Sequence, residues 1–149
     1  MSEKWIFPCN PKLFDVNKHF LDTNLVVWKN SFSMKVGDTV YIYVSSPMSA
    51  ILYRCKVVSD TVSNDVLQQN QYAIREKEYY NFFSRRSKYV IMELEMTYPK
   101  DLLTLKKLRE KGLGQVQIQA RANRQLSEFL NTIDNSNKYG RENGGDKNV

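Results

Sequence analysis

The stretch from Thr39 to Val58 constrains this chain more than any other. Thr39–Val44 reads TVYIYV and Ala50–Val58 reads AILYRCKVV, two runs dominated by β-branched and aromatic side chains. Such side chains favour strands, because branching at Cβ and flat rings pack well on a pleated surface but lose rotamer freedom in a helix. Lys35-Val36-Gly37-Asp38 supplies a turn before the first run, and Ser45-Ser46-Pro47-Met48-Ser49 separates it from the second, so the pair is expected as a hairpin or as neighbouring strands. Tyr89–Met96 alternates: Met92, Leu94 and Met96 are expected on one face, Glu93 and Glu95 on a solvated one.

Shorter elements surround this centre. Trp5–Cys9 reads as a first strand, with Pro8 marking an edge or an end because it cannot donate to a ladder. Asn10 followed by Pro11 reads as an N-cap and first turn, opening a helix to about Phe20. Leu25–Trp28 is a short strand or an extended lead into a loop, residues 59–71 a connection, and residues 72–88 either a helix carrying Ile74, Tyr79, Phe82 and Phe83 or a loop. Thr104 is placed to cap a short helix closed by Gly112, and Val116–Ala120 alternates as a last strand. Arg124–Ile133 carries Leu126, Phe129, Leu130 and Ile133 at helical spacing. The expectation is one α+β domain over residues 1–133, barrel-like with flanking helices, and a disordered polar tail over 134–149.

With 149 residues, 42% of them hydrophobic, the chain can build one core. No apolar run approaches the ~20 residues of a membrane span, and MSEKWIFPCN lacks a signal-peptide layout. Its two cysteines make no disulfide framework, so a cytoplasmic protein with reduced thiols is expected. The formal charge of +6 is uneven. Residues 75–88 hold Arg75, Lys77, Arg85, Arg86 and Lys88 against Glu76 and Glu78; residues 100–130 hold Lys100, Lys106, Lys107, Arg109, Lys111, Arg121 and Arg124 against Asp101, Glu110 and Glu128. Clustered basic charge suits phosphate binding, which releases condensed counterions.

Catalytic groups are sparse. The single histidine, His19, reads as a helix-surface residue, and Cys9 and Cys55 as small strand hydrophobes without metal-ligand spacing. Gly112-Leu113-Gly114 lacks the third glycine of a phosphate loop, and Glu93 with Glu95 fit any solvated face. No catalytic, metal or cofactor site is expected. Trp28 differs from the other aromatics by ending an apolar run at the polar loop Lys29-Asn30-Ser31, where a flat side chain can wall a pocket or cover a barrel end. Serine hydroxyls and free backbone donors in Ser45–Ser49 would complete a pocket for an extruded base.

The order Trp5-Ile6-Phe7-Pro8-Cys9-Asn10-Pro11, then Trp28, then Val36-Gly37-Asp38-Thr39-Val40-Tyr41-Ile42-Tyr43-Val44, then Ser45-Ser46-Pro47 and Ala50–Val57, resembles the EVE family of the PUA-like superfamily, related to the YTH readers. Leu105–Leu113 followed by Gln117 and Arg121 is similar to that family's closing helix and strand. The resemblance implies a PUA-like pseudo-barrel of mostly antiparallel strands flanked by short helices. It also implies a non-catalytic reader that flips a modified base, modified cytosine in DNA foremost and RNA as a possibility, into an aromatic pocket. Carried over, Asn10, Trp28, Ser45, Ser46, Pro47, Tyr53 and Gln117 form the base pocket, with Arg121 beside it on the closing side. Arg85, Arg86, Lys88, Lys106, Lys107, Arg121 and Arg124 are then the phosphate contacts. Family members are often fused to nucleases; with no second histidine for such a domain here, cleavage would fall to a separate nuclease subunit. The alternatives are an ASCH-like hydrolase of a small modified nucleoside, whose catalytic polar cluster is not found, a general RNA-binding PUA-like domain, or an interaction domain with Trp28 fully packed and the pocket occluded.

Overall fold

Seven strands and three helices are formed by the residues that the computed structural model describes, 3–29, 33–60, 89–116, 119–136 and 141–142. In chain order they are β1 (Lys4–Cys9), α1 (Val16–Asp22), β2 (Leu25–Lys29), β3 (Thr39–Val44), β4 (Ala50–Ser59), β5 (Tyr89–Thr97), α2 (Leu105–Glu110), β6 (Ala120–Arg121), α3 (Arg124–Ser136) and β7 (Arg141–Glu142). The helix or loop expected over 72–88 lies outside the described residues.

The strands form one sheet in the order β2-β5-β4-β3-β1-β6, with β7 added against β5. β3 and β4 make the expected antiparallel pair. β1 and β3 run parallel, from Lys4 opposite Thr39 to Cys9 opposite Val44. Pro8 is tolerated because β6 pairs only with Trp5 and Ile6, so the far half of β1 is an edge on that side.

Two cores fill the two faces. Inside the curled sheet lie Trp5, Phe7, Trp28, Val40, Ile42, Cys55, Met92 and their neighbours, closed by Phe14 and Val16. On the outer face Ile6, Tyr41, Tyr43 and Ile51 pack under Leu103, Leu108, Leu126 and Leu130 of the α2 and α3 region. Bulges set which residue goes where. Between Arg54 and Cys55 the register on β5 jumps from Met96 to Leu94, leaving Glu95 as the extra residue. The simple alternation expected for β5 therefore breaks: Leu94 joins the inner core while Met96 joins the outer one.

Other expectations are corrected. The first helix begins at Val16, with Asp15 as its cap accepting from Lys18 N at 3.2 Å. Asn10 builds a tight turn instead: its Oδ1 accepts from Lys12 N at 3.0 Å, and its carbonyl accepts from Leu13 N and Phe14 N. Of the strand expected over Val116–Ala120, the described residues place Ala120 in β6, which runs on to Arg121, while Val116 lies outside a strand. α3 starts as expected, with Asn123 Oδ1 accepting from Leu126 N at 2.9 Å, but it continues to Ser136 and so takes in residues assigned to the tail.

The Gly37-Asp38 turn proves to be a staple. Gly37 sits at φ +97, a conformation costly for other residues. Buried Asp38 accepts from Glu3 N at 3.0 Å, Lys35 N at 2.9 Å and Trp5 Nε1 at 3.0 Å, tying the start of β1 to the start of β3. Burial alone would raise the Asp38 pKa; the two backbone donors and the Trp5 indole outweigh it and hold the carboxyl below its ordinary range.

Candidate functional site

Parallel pairing of β1 and β3 ends both strands side by side, Cys9 opposite Val44, so Asn10 and Ser45 leave the sheet together. Ser45 fastens the join: its N–H donates to the Cys9 carbonyl at 3.0 Å and its hydroxyl to the same oxygen at 3.2 Å. Beyond it, Ser46 and Pro47 are exposed and joined by a cis peptide, and Ser49 takes φ +49. The Ser49 carbonyl accepts from Leu105 N at 2.9 Å, which anchors the loop to the start of α2. Exposed Asn10 spends its amide oxygen on the turn, and its NH₂ has no hydrogen-bond partner among the described residues. The rim thus offers an amide donor beside a serine-rich loop, with half-buried Met48 as its apolar surface.

Two of the expected pocket residues lie in the core. Trp28 is 3% exposed, with Phe14 edge-on at 5.5 Å and Phe7 at 6.4 Å between ring centres. It is a core residue and no open stacking wall, the packing expected of an interaction domain with an occluded pocket; the segment entering α1 brings Phe14 against the ring. Tyr53 is likewise buried: its hydroxyl donates to Asn17 Oδ1 and its ring meets Phe20 at 4.8 Å, both partners being on α1. Burial, with smaller effects from Cys9 and Asp15, pushes the Tyr53 pKa up to about 12, so it acts here as a neutral hydrogen-bond donor. α1 therefore closes the barrel end that was expected to be open. Gln117 lies outside the described residues.

His19 is also corrected, from helix surface to core. It is 1% exposed, with Nε2 at 2.6 Å from the Leu25 carbonyl and its ring against Phe14 and Phe20. Burial lowers its pKa, opposed by the Leu25 hydrogen bond and by Asp22. Cys9 and Cys55 are buried as expected, and burial lifts the Cys9 thiol to about 12, far from a reactive thiolate. No group of three His, Cys, Asp or Glu side chains able to hold a metal occurs among the described residues. No helix among them is long and apolar enough to cross a membrane.

The basic residues separate into groups. Arg85, Arg86 and Lys88 lie outside the described residues. Lys106 and Lys107 are exposed on α2, Lys107 donating to the Asp101 carbonyl at 3.1 Å. Arg124, exposed at the start of α3, pairs with Glu128 at 3.2 Å. Arg121 lies opposite Trp5, with its guanidinium 5.3 Å from that ring and 3.7 Å from Glu3 Oε1. That is the other end of β1 from Asn10, roughly 17 Å along the chain at the usual rise per residue, so Arg121 is not a neighbour of the rim.

One cluster has no counterpart among the expected sites. Asp134 accepts from the Tyr41 hydroxyl at 2.6 Å and from the Tyr98 hydroxyl, and pairs with Arg54 Nη1 at 2.9 Å. Arg54 Nε reaches Glu95 at 3.2 Å, and Lys4 Nζ donates to the Tyr41 hydroxyl at 3.3 Å. Burial lowers the Lys4 pKa, partly offset by Asp134; burial, then Asp134, raises that of Tyr41. The visible signal is Arg54 interrupting an apolar strand; its partner sits in the stretch expected as tail.

No protein-family model matches the chain, and no curated protein sequence does. Solved structures share its fold. A point mutant of the ASCH protein of Zymomonas mobilis superposes with TM-score 0.64 at 12% identity, covering 89% of this chain and 96% of that one. A hypothetical protein of Leishmania major gives 0.63 at 13%, covering 93% and 98%. Human THYN1, solved in complex with DNA containing 5-methylcytosine, gives 0.61 at 13%, covering 89% and 98%. At such identities the likeness is one of fold: this chain is an α+β PUA-like pseudo-barrel of mostly antiparallel strands with short flanking helices.

Proposed function

We propose that this chain is a non-catalytic nucleic-acid-binding module of EVE type that reads a modified base, modified cytosine in DNA foremost, at the rim built by Asn10 and Ser45-Ser46-Pro47. One juxtaposition carries the reading: the Cys9–Val44 register sets the Asn10 turn beside the serine loop, in a fold shared with a protein solved on 5-methylcytosine DNA. An amide donor, hydroxyls and exposed backbone suit the polar edge of a base. Trp28 and Tyr53 serve as the aromatic floor. Full insertion of a base requires the Phe14–Phe20 segment to swing off them, and stacking worth roughly 1–3 kcal/mol then offsets an unstacking cost of a few kcal/mol. Lys106, Lys107 and Arg124 hold phosphates without reading sequence, joined in this proposal by Arg85, Arg86 and Lys88. Cleavage, where it follows reading, belongs to a separate nuclease subunit.

The test is a titration with oligonucleotides carrying cytosine or 5-methylcytosine, for the parent and for Asn10→Ala. Preference for the modified strand that falls in the variant supports the proposal. Equal binding of both by the parent contradicts it. Turnover of a free modified nucleoside would instead make the chain a hydrolase.

A further inference from the structure

Away from the rim, a pocket of about 300 Å³ opens where β1, β6, the start of α3 and the loop after α2 meet. Its floor is apolar, made by Ile6, Leu113 and Leu126, and its edge carries Gln115 and Arg121. The volume is at the lower end of ordinary small-ligand sites, a fit for one planar base and not for a large cofactor. The loop is held open by its own chemistry. Gly112 takes φ +99, a conformation strained for other residues, and a Cβ there would stand 2.9 Å from Gln125 Oε1 and 3.1 Å from the Asn123 amide, so those side chains would have to move. Asn123 Nδ2 in turn donates to the Gly112 carbonyl at 2.6 Å. Arg121 belongs to the pocket edge, its guanidinium resting 5.3 Å from the Trp5 ring and 3.7 Å from Glu3 Oε1, an exposed pair that yields readily to another anion. Two further cations neighbour lining residues in the chain: Lys111, its Nζ 5.4 Å from the Phe129 ring, precedes Gly112, and Arg124 follows Asn123, its ion pair with Glu128 so exposed that it yields readily to another anion.

We propose that this pocket is a second nucleotide site, taking one unpaired base of a single strand while Arg121, Lys111 and Arg124 face its phosphates. Charge complementarity selects the occupant: an apolar slot for a ring, donors for its acceptor edge, and cations for the flanking anions. The inference rests on the nucleic-acid reading above but not on its preference for a modified base.

Gly114 offers the means of testing it. It lines the pocket, and a Cβ there meets nothing within 4 Å. Gly114→Trp should therefore obstruct the slot without disturbing the fold, whereas Gly114→Ala should leave it open. Fluorescence anisotropy with a labelled oligothymidine single strand, and with the same sequence as a duplex, reads the effect. Single-strand affinity should fall about tenfold in Gly114→Trp, the loss of one stacked base, while duplex affinity and the modified-to-plain ratio hold. Parent-like single-strand binding by Gly114→Trp overturns the second site and leaves the reader standing. No binding of any strand by the parent chain overturns both. As a check free of mutation, thymidine monophosphate should shift the backbone amide signals of Gly112, Gly114, Gln115 and Arg121 in the parent; unshifted signals there also overturn the site.

Discussion

Asp38 shows how one carboxylate can be worth a whole turn. Three donors converge on it, and replacing it by Asn keeps the shape but removes the charge that strengthens those bonds, at a cost of about 2 kcal/mol measurable as a lower urea midpoint. Because its folded pKa lies below the unfolded value near 4, its contribution is complete above that pH and disappears as pH falls through the folded value; Asp38→Asn should lack this acid loss. His19 works at a different pH. Its folded pKa is lowered, so below about pH 6.5 the unfolded chain takes up a proton that the folded one resists, and stability falls on acidification. The drop in denaturation midpoint between about pH 7.5 and about pH 5.5 should shrink in His19→Phe. Trp28, packed against Phe14 and Phe7, should cost about 3–5 kcal/mol as Ala, a loss visible in thermal melting before any oligonucleotide is added.

The helix α3 is fixed to the sheet at its C-terminal end by Asp134 as well as by buried Leu126 and Leu130. Asp134→Ala would leave Arg54 and two tyrosine hydroxyls without their shared acceptor, and should destabilise by about 3 kcal/mol in chemical denaturation. Tyr41→Phe in the same background should then cost less than it does in the parent, since the partner is already gone. This latch also marks where the sequence stops being legible. β3, β4, β5 and the 124–133 helix can be read because their patterns are local: branching, alternation and helical spacing. The Asp134–Tyr41 hydrogen bond joins residues 93 apart, and no local pattern announces it. The bulge at Glu95 is equally silent, since one extra residue in a strand leaves composition and alternation unchanged while turning Met96 to the other core. Asn10 is legible as a local capping residue but not as a turn, because Asn-Pro begins either; Asp15, further along, captures the helix start.

Seen as a unit, the chain presents a closed barrel end, a polar rim above it and cations along the α2–β6–α3 side. Asn10 and the serine loop are each readable as following a strand end, but their juxtaposition is not, because it depends on the parallel pairing of β1 with β3. The burial of Trp28 is not, because it depends on where α1 folds over, and a tryptophan next to a polar loop looks the same in sequence either way. Lys106→Glu with Lys107→Glu should weaken modified and plain DNA alike, and should lower the slope of log affinity against log salt by about 0.9 for each phosphate no longer neutralised. In the proposed reading, base preference is set at the rim and not by these lysines. The measurement that bears on it most directly is the affinity ratio of 5-methylcytosine to cytosine DNA in the parent chain and in Asn10→Ala, taken at one salt concentration, with melting curves showing both folded. A parent ratio well above one that collapses towards one in Asn10→Ala is expected. A parent ratio of one, or a high ratio that survives the substitution, contradicts reading at the Asn10 and Ser45–Pro47 rim.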